Sequence, residues 1–430
     1  MKVRVLVVCL LVGFMQAAWG WATVGDSLRL GLPELVQQAL RHNEQLKIAE
    51  ARVRGAEAAV QESRGASLPQ LDATFSYTYL DIVPGFKKVV LGNIEHDMYP
   101  NVTIRQPLYT GGRLKHLRSA AQASVESQNL SLRNDEQSLK LAVGLDYYQL
   151  LSLRNQIGIV QENRRQLAVQ QQYARLLIQA GRMSELELGR LEVELAALDG
   201  RLLKLHNDYQ QTCNELVVLC GLPDWYTIVP SDTLTMEPVP VDSAQLLAYA
   251  LENNPAWRRL ASEERRAEAQ LRAQMAARYP QISAVASYGY EFGIESFSFA
   301  KNKRYLVGLS AQMPVFDWGV SEGKIGQANS QLEQVQWQRQ LYQRSLAAQV
   351  KNLYLRLKEM AEQVAIQKQA VEQARQAHRL AMIEYHAGRR SNTDLLDIQK
   401  TLLNSQLTLN EAVVNYNRSR AQLLYMLGAL

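Results

Sequence analysis

Apolar residues along this chain keep two different periods, and the switch between them falls at matching places in its two halves. From Gly112 to Ala180, and again from Gly319 to Ala387, there is no proline. In the second stretch Leu346, Val350, Leu353, Leu357, Met360 and Val364 alternate steps of four and three, the seam of a coiled coil. Each stretch predicts one helix, at about 113–180 and 320–387, roughly 100 Å long at about 1.5 Å per residue. No compact domain holds such a rod. Shorter helices are expected on either side, at about 33–67 and 183–220 in the first half and about 243–278 and 391–427 in the second, where they can stack end to end beside the long one.

After Pro69 the period shortens to two. Ala73, Phe75, Tyr77 and Tyr79 alternate with Asp72, Thr74, Ser76 and Thr78; after Pro280, Ala284, Ala286, Tyr288 and Tyr290 alternate with Val285, Ser287 and Gly289. Met98, Val102 and Ile104 precede Pro107, and Tyr305, Val307, Leu309, Ala311 and Met313 run up to Pro314. Strands are therefore expected at about 70–82, 97–107, 281–292 and 303–314, one hairpin per half. The segments 81–97 and 291–304, rich in Gly, Lys and Asn, read as external loops. About ten residues suffice for a tilted strand to cross a bilayer, and apolar residues alternating with small polar ones suit a wall between lipid and water. Four strands cannot close a barrel, and lipid tolerates no open edge, so several copies must combine; three would supply twelve strands. The competing reading, a soluble hairpin on a helical rod, would leave five aromatic side chains of these strands in water.

The halves are a duplication. Leu68-Pro69-Gln70-Leu71 returns as Tyr279-Pro280-Gln281-Ile282, and Gln106-Pro107-Leu108-Tyr109-Thr110-Gly111-Gly112 as Met313-Pro314-Val315-Phe316-Asp317-Trp318-Gly319. Ala39 to Asn43 answers Ala250 to Asn254, Ala180-Gly181-Arg182 answers Ala387-Gly388-Arg389, and Gly221 answers Gly428. The chain divides into a first repeat at 23–221, a connector at 222–242 and a second repeat at 243–430.

Composition narrows the classes. Only 7% of the 430 residues are aromatic and the net charge is +5, and the mean hydropathy is −0.22, thin for a compact globule. Basic and acidic residues alternate along the helices, so no nucleic-acid stripe forms. Lys2 and Arg4 precede the apolar run Val5 to Phe14, and small residues follow. That order is a secretory signal peptide, 1–22, cleaved after Gly20 or Ala22; an uncleaved anchor is the alternative. Cys9 lies too early for acylation, so no lipid anchor is expected. Cys213 and Cys220 sit two turns apart on one helix, about 10 Å, too far for a disulfide, and read as packed thiols.

The six histidines, His42, His96, His116, His206, His378 and His386, are scattered. There is no His-Glu-x-x-His motif, phosphate-binding glycine loop or Cys-x-x-Cys pair. An enzyme is not expected, nor a catalytic site, a bound metal or a cofactor. An exported trimeric coiled-coil rod, structural or adhesive and without a pore, is the other class the periodicity allows.

The order of helices and strands, the repeated Pro-Gln signatures, the turn from Gln106 to Gly112, and the run Tyr385-His386-Ala387-Gly388-Arg389-Arg390-Ser391-Asn392-Thr393-Asp394-Leu395-Leu396-Asp397-Ile398-Gln399 resemble the TolC-like outer membrane efflux protein family. The resemblance spans almost the whole mature chain. It implies a mostly helical protein with a β-barrel part, a homotrimer whose twelve strands form one barrel in outer-membrane lipid and whose helices continue as a periplasmic tunnel. Such a channel is the outer-membrane member of tripartite efflux or type I secretion systems, passive, and joined to an inner-membrane transporter through a periplasmic adaptor.

The same resemblance assigns sites. Gly181, Arg182, Gly388 and Arg389 would be the hairpin tips that meet the adaptor; glycine suits a helix end that needs a positive φ, which is equally an ordinary helix cap. Asp394 and Asp397, one turn apart on one face, match positions that narrow the tunnel entrance and attract cations; taken alone they are first-turn acids that favour a helix N-terminus. Tyr385 and Arg390 match a latch to a carboxylate of the other hairpin, here Glu187, where a well-known member has the shorter Asp. Any belt around the tunnel would come mainly from Pro223 to Val241.

Overall fold

The computed structural model describes residues 27–79, 96–238, 245–295 and 298–430. The expected signal segment 1–22 and most of the expected loop 81–97 lie outside them.

The described residues pack as two compact units, and neither is a sequence half: one takes 27–44, 136–238, 245–246 and 350–430, the other 45–79, 96–135, 247–295 and 298–349. Each collects matching pieces of both repeats, because the long helices carry each repeat through both units.

The first unit is helical. It holds α1 (Leu32–His42), the later part of α3 (Arg113–Gln179), α4 (Glu185–Leu219), the later part of α7 (Val320–His386) and α8 (Asn392–Leu427). Both long helices run 67 residues. Their core is a set of seven-residue stripes: Leu153, Val160, Leu167 and Ala174 on α3, Leu191, Leu198 and Leu205 on α4, Leu396 and Leu403 on α8, all in one cluster. That spacing keeps one narrow face of each helix against its neighbours. On α7 the expected seam is buried at Leu346, Val350, Leu357 and Val364 and half-buried at Leu353 and Met360. A short parallel pair absent from the sequence expectation joins β1 (Ser27–Leu30) to β4 (Thr227–Pro230) of the connector. Remote side chains donate to connector carbonyls: Arg154 to Pro230 at 2.5 Å, Tyr416 to Glu237 at 2.9 Å and Asn417 to Thr235 at 2.8 Å.

The second unit holds α2 (Glu44–Gly65), α5 (Leu246–Asn253), α6 (Pro255–Ala276) and a four-stranded antiparallel sheet, β2 (Gln70–Tyr79), β3 (His96–Tyr109), β5 (Gln281–Glu295) and β6 (Ser298–Gln312), in the order β2-β3-β5-β6. Register collects the apolar positions on one face: Leu71, Ala73 and Phe75 lie opposite Ile104, Val102 and Pro100, Ile104 and Val102 opposite Ala286 and Tyr288, and those opposite Val307 and Tyr305. The other face carries Asp72, Thr74 and Ser76 beside Thr103, Asn101 and Tyr99, and then Ser287 and Gly289. Among the described residues this apolar face is open at its edge: Val307 is 83% exposed and Tyr305 80%. Pairing of β3 with β5 shifts register between Pro107 and Tyr109, where the proline lacks a donor for the ladder.

Three expected boundaries are corrected. The helix expected over 33–67 is two, broken at Asn43, whose backbone is extended (ψ 126°) and whose Nδ2 donates to Leu219 O at 3.0 Å. The helix expected over 243–278 is also two, because Asn254 caps α6 by accepting from Trp257 N at 2.9 Å and Pro255 cannot continue α5. The loop expected over 291–304 is mostly strand: pairing runs on through Phe292↔Lys301 and Ile294↔Phe299 to Glu295↔Ser298, since the period of two persists beneath the loop-like composition.

Candidate functional site

The two helical hairpins of the first unit turn in the same way. At the end of α3, Gly181 has φ 71°, its N–H donates to Ile178 O at 2.9 Å and Arg182 N–H to Leu177 O at 2.8 Å. At the end of α7, Gly388 has φ 71°, its N–H donates to Tyr385 O at 3.0 Å and Arg389 N–H to Glu384 O at 2.9 Å. Both are the six-to-one and five-to-two pair of a left-handed helix cap, which satisfies carbonyls that the helix end would otherwise leave bare. Gly181, Arg182, Gly388 and Arg389 are all exposed. Serines then restart the helices: Ser184 precedes α4 and Ser391 precedes α8, where Ser391 Oγ accepts from Asp394 N at 3.1 Å.

Asp394 and Asp397 are exposed on the first two turns of α8, while Leu395 and Leu396 between them face the core at 0% and 6% exposure. The pair therefore shares one solvent-facing side, opposite the buried leucines.

The latch expected from Tyr385 and Arg390 to Glu187 is arranged differently. Arg390 Nε donates to Glu384 Oε2 at 2.7 Å, on the last turn of its own hairpin, because the Gly388 turn folds Arg390 back over α7. Tyr385 is buried, edge-on to Tyr173 at 6.3 Å, and among the described residues its hydroxyl has no hydrogen-bond partner. Burial first, then the charges of Tyr173 and Glu187, raise its pKa. The links that join the two hairpins are others: Arg190 Nη1 donates to Thr393 Oγ1 at 2.7 Å, and Lys400 Nζ pairs with Glu194 Oε2 at 2.9 Å. Beneath them Gln399 Nε2 donates to Gln170 Oε1 at 3.0 Å and Gln170 Nε2 to Asn392 Oδ1 at 2.7 Å, tying α3 to α8. Arg190 and Lys400 carry no local sequence signal, since a surface cation on a helix looks the same with or without a partner.

The outer membrane efflux protein family matches this chain over residues 35–222 and 246–429. The outer membrane efflux protein BepC of Brucella suis biovar 1 is 21% identical over 376 residues, 87% of this chain and 80% of that one. The outer membrane protein TolC of Escherichia coli K12 is 21% identical over 414 residues, 93% of this chain and 82% of that one. Among solved structures, the Campylobacter jejuni CmeC outer membrane channel shares the fold with a TM-score of 0.81 at 16% identity, covering 93% of this chain and 85% of that one.

Proposed function

This chain belongs to the outer membrane efflux protein family, and on that basis we propose that it is the passive outer-membrane duct of an export machine. The carrying observation is the four-stranded sheet with one continuous apolar face and one mostly polar face, interrupted by Val285 and Leu306. In water such a face costs free energy in proportion to its area, and in a bilayer it does not. Strands β2 and β6 are the two edges of the sheet. Three copies joined edge to edge give a closed wall of twelve strands with lipid outside and water inside.

The helical hairpins then form the periplasmic entrance. Asp394 and Asp397, two per copy and six in a trimer, ring that entrance and favour cations. The Arg190–Thr393 and Glu194–Lys400 links hold the α7–α8 hairpin against α4, and parting them opens the passage, a two-state change biased by partner binding. The exposed turns at Gly181-Arg182 and Gly388-Arg389 are the surface offered to a periplasmic adaptor, which joins the channel to an inner-membrane transporter. Energy and cargo choice belong to that transporter.

Conductance in a planar bilayer, with heat-sensitive migration on a gel, tests this reading. Discrete cation-preferring openings from a trimer are expected. A protein that stays monomeric and never inserts would return the sheet to a soluble role.

A further inference from the structure

The sheet contains one complete junction between the two repeats, where β3 pairs with β5, and two edges, β2 and β6. The hairpins on either side of that junction correspond residue by residue. Counted from Pro69 and Pro280 on one strand, and from Pro107 and Pro314 on the other, Gln70↔Arg105 of the first hairpin falls on Gln281↔Gln312 of the second. Tyr77↔Met98 falls on Tyr288↔Tyr305 in the same way. β5 is thus the counterpart of β2, and β6 of β3, with no slip along either hairpin.

The inner junction therefore serves as a template for the outer one. In it Ile104 lies opposite Ala286, Val102 opposite Tyr288 and Thr103 opposite Ser287. Carried from β6 to the β2 of another copy, the same pairing sets Ala311 opposite the partner's Phe75, Leu309 opposite the partner's Tyr77 and Ser310 opposite the partner's Ser76. Apolar positions then meet apolar ones and polar meet polar. Leu309 is 74% exposed, whereas its counterpart Val102, covered by β5, is 42% exposed. A slip of one residue would turn Phe75 and Tyr77 to the wrong face; a slip of two keeps the faces, and two further observations speak against it.

After Pro107 the inner junction shifts register, so that Tyr109 lies opposite Ile282. Pro314 equally lacks a donor for the ladder. The same shift there puts Phe316 opposite the partner's Leu71, joining two side chains that are otherwise exposed. The rung Asn101↔Gly289 carries one glycine, where a Cβ would stand 2.7 Å from Pro100 O. Its counterpart rung, Gly308 opposite the partner's Thr78, also carries one glycine, on the other strand. Among the described residues nothing stands within 4 Å of where a Gly308 Cβ would go, which leaves room for a second backbone.

We propose that copies of this chain join β6 of one to β2 of the next in the register of the β3–β5 junction, with Ser310 opposite the partner's Ser76. The inference rests on the trimeric reading above and adds the residues of its seam.

Cysteine cross-linking of the full-length protein, with Cys213→Ala and Cys220→Ala as background, tests it. Opposed residues of an antiparallel pair lie about 4.5–5.5 Å apart at Cα, within the roughly 4.4–6.8 Å that a disulfide spans; diagonal neighbours lie about 7–8 Å apart. After oxidation with copper phenanthroline, Ser76→Cys with Ser310→Cys should give covalent dimers and trimers on a heated non-reducing gel. Phe75→Cys with Ala311→Cys, a second pair on the other face, should do the same. Thr74→Cys or Thr78→Cys with Ser310→Cys should give little, and each single cysteine none. Unheated gels of the background protein report the trimer separately. If that trimer forms but cross-links best through Thr74 or Thr78, or through neither expected pair, the register is overturned and the duct reading stands. A background protein that forms no trimer overturns both.

Discussion

Gly111 and Trp318 occupy the same left-handed turn of the repeat, with φ of 60° and 53°. Their surroundings explain why one is glycine and the other is not. A Cβ on Gly111 would stand 2.5 Å from Tyr279 Cβ and 2.8 Å from Ala276 O, while Trp318 is 89% exposed. The first site excludes any side chain, and the second only strains one. The neighbouring Gly319 is also left-handed, with φ 81° and open space where a Cβ would go. Gly111→Ala should therefore add overpacking to backbone strain, about 2 kcal/mol or more in all, against about 1 kcal/mol for Gly319→Ala. Thermal unfolding of the solubilised protein should rank them in that order, and equal shifts would remove the steric account.

Cys213 and Cys220 are buried, their thiols directed at Ile228 O and Leu35 O, and burial pushes both pKa values up to about 11 from 9.0. The thiolate is the reactive form, so neither should be alkylated by iodoacetamide at pH 8 until the protein unfolds. Between about 9 and about 11 the folded state keeps protons that the unfolded state has lost. Stability contributed by these groups is thus full below that window and falls as pH rises through it. The Cys213→Ala, Cys220→Ala double variant should show a shallower loss of unfolding temperature over the same interval.

Much of this fold is legible because its environments are periodic. Phe75 and Val307 sit on a face that repeats every second residue, and the long seam of α7 needs only the heptad seen at Val350, Leu357 and Val364. The break before α6 has a local mark that the single helix expected over 243–278 passed over, Asn254-Pro255, since a residue before proline leaves the helical region. Asn43 carries no such mark, because its break is fixed by a carbonyl 176 residues away. The β1–β4 pair is too short to alternate and is held by distant donors such as Arg154. At the hairpin turns the glycines and Asp394 are readable locally, whereas the partners of Arg390 and Lys400 depend on which helices meet.

On the entrance, Asp394→Asn with Asp397→Asn should bring the cation-to-anion permeability ratio measured from single-channel reversal potentials towards unity. The folding effect should be small, since a first-turn carboxylate at an exposed helix N-terminus contributes about 0.3–1 kcal/mol. Selectivity that survives the double substitution would leave these residues only their helix-capping role.

A residue on the sheet tests the membrane face by itself. Val307 lies on the apolar face and Ser287 on the polar one. Val307→Arg should cost about 2–4 kcal/mol if the position lies near the bilayer midplane, and Ser287→Arg much less. Folding into lipid vesicles from urea, followed by heat-sensitive gel migration, reads the difference; equal losses would remove the assignment of the two faces.

The hairpin links give the sharpest test, because two arrangements of the latch predict different variants. A surface ion pair such as Glu194–Lys400, with Lys400 exposed and Glu194 half-buried, is worth about 0.2–1 kcal/mol, which changes an open-to-closed ratio by up to about fivefold. Glu194→Lys replaces attraction with repulsion and should raise the open fraction in bilayer recordings; adding Lys400→Glu should restore the wild-type fraction, since the pair is then reversed and intact. Arg190→Ala, which removes the donor to Thr393, should open the channel without any such rescue. Glu187→Gln should have little effect, because Arg390 is held by Glu384. An open fraction that rises as far in Glu187→Gln as in Glu194→Lys would instead place the latch at Glu187.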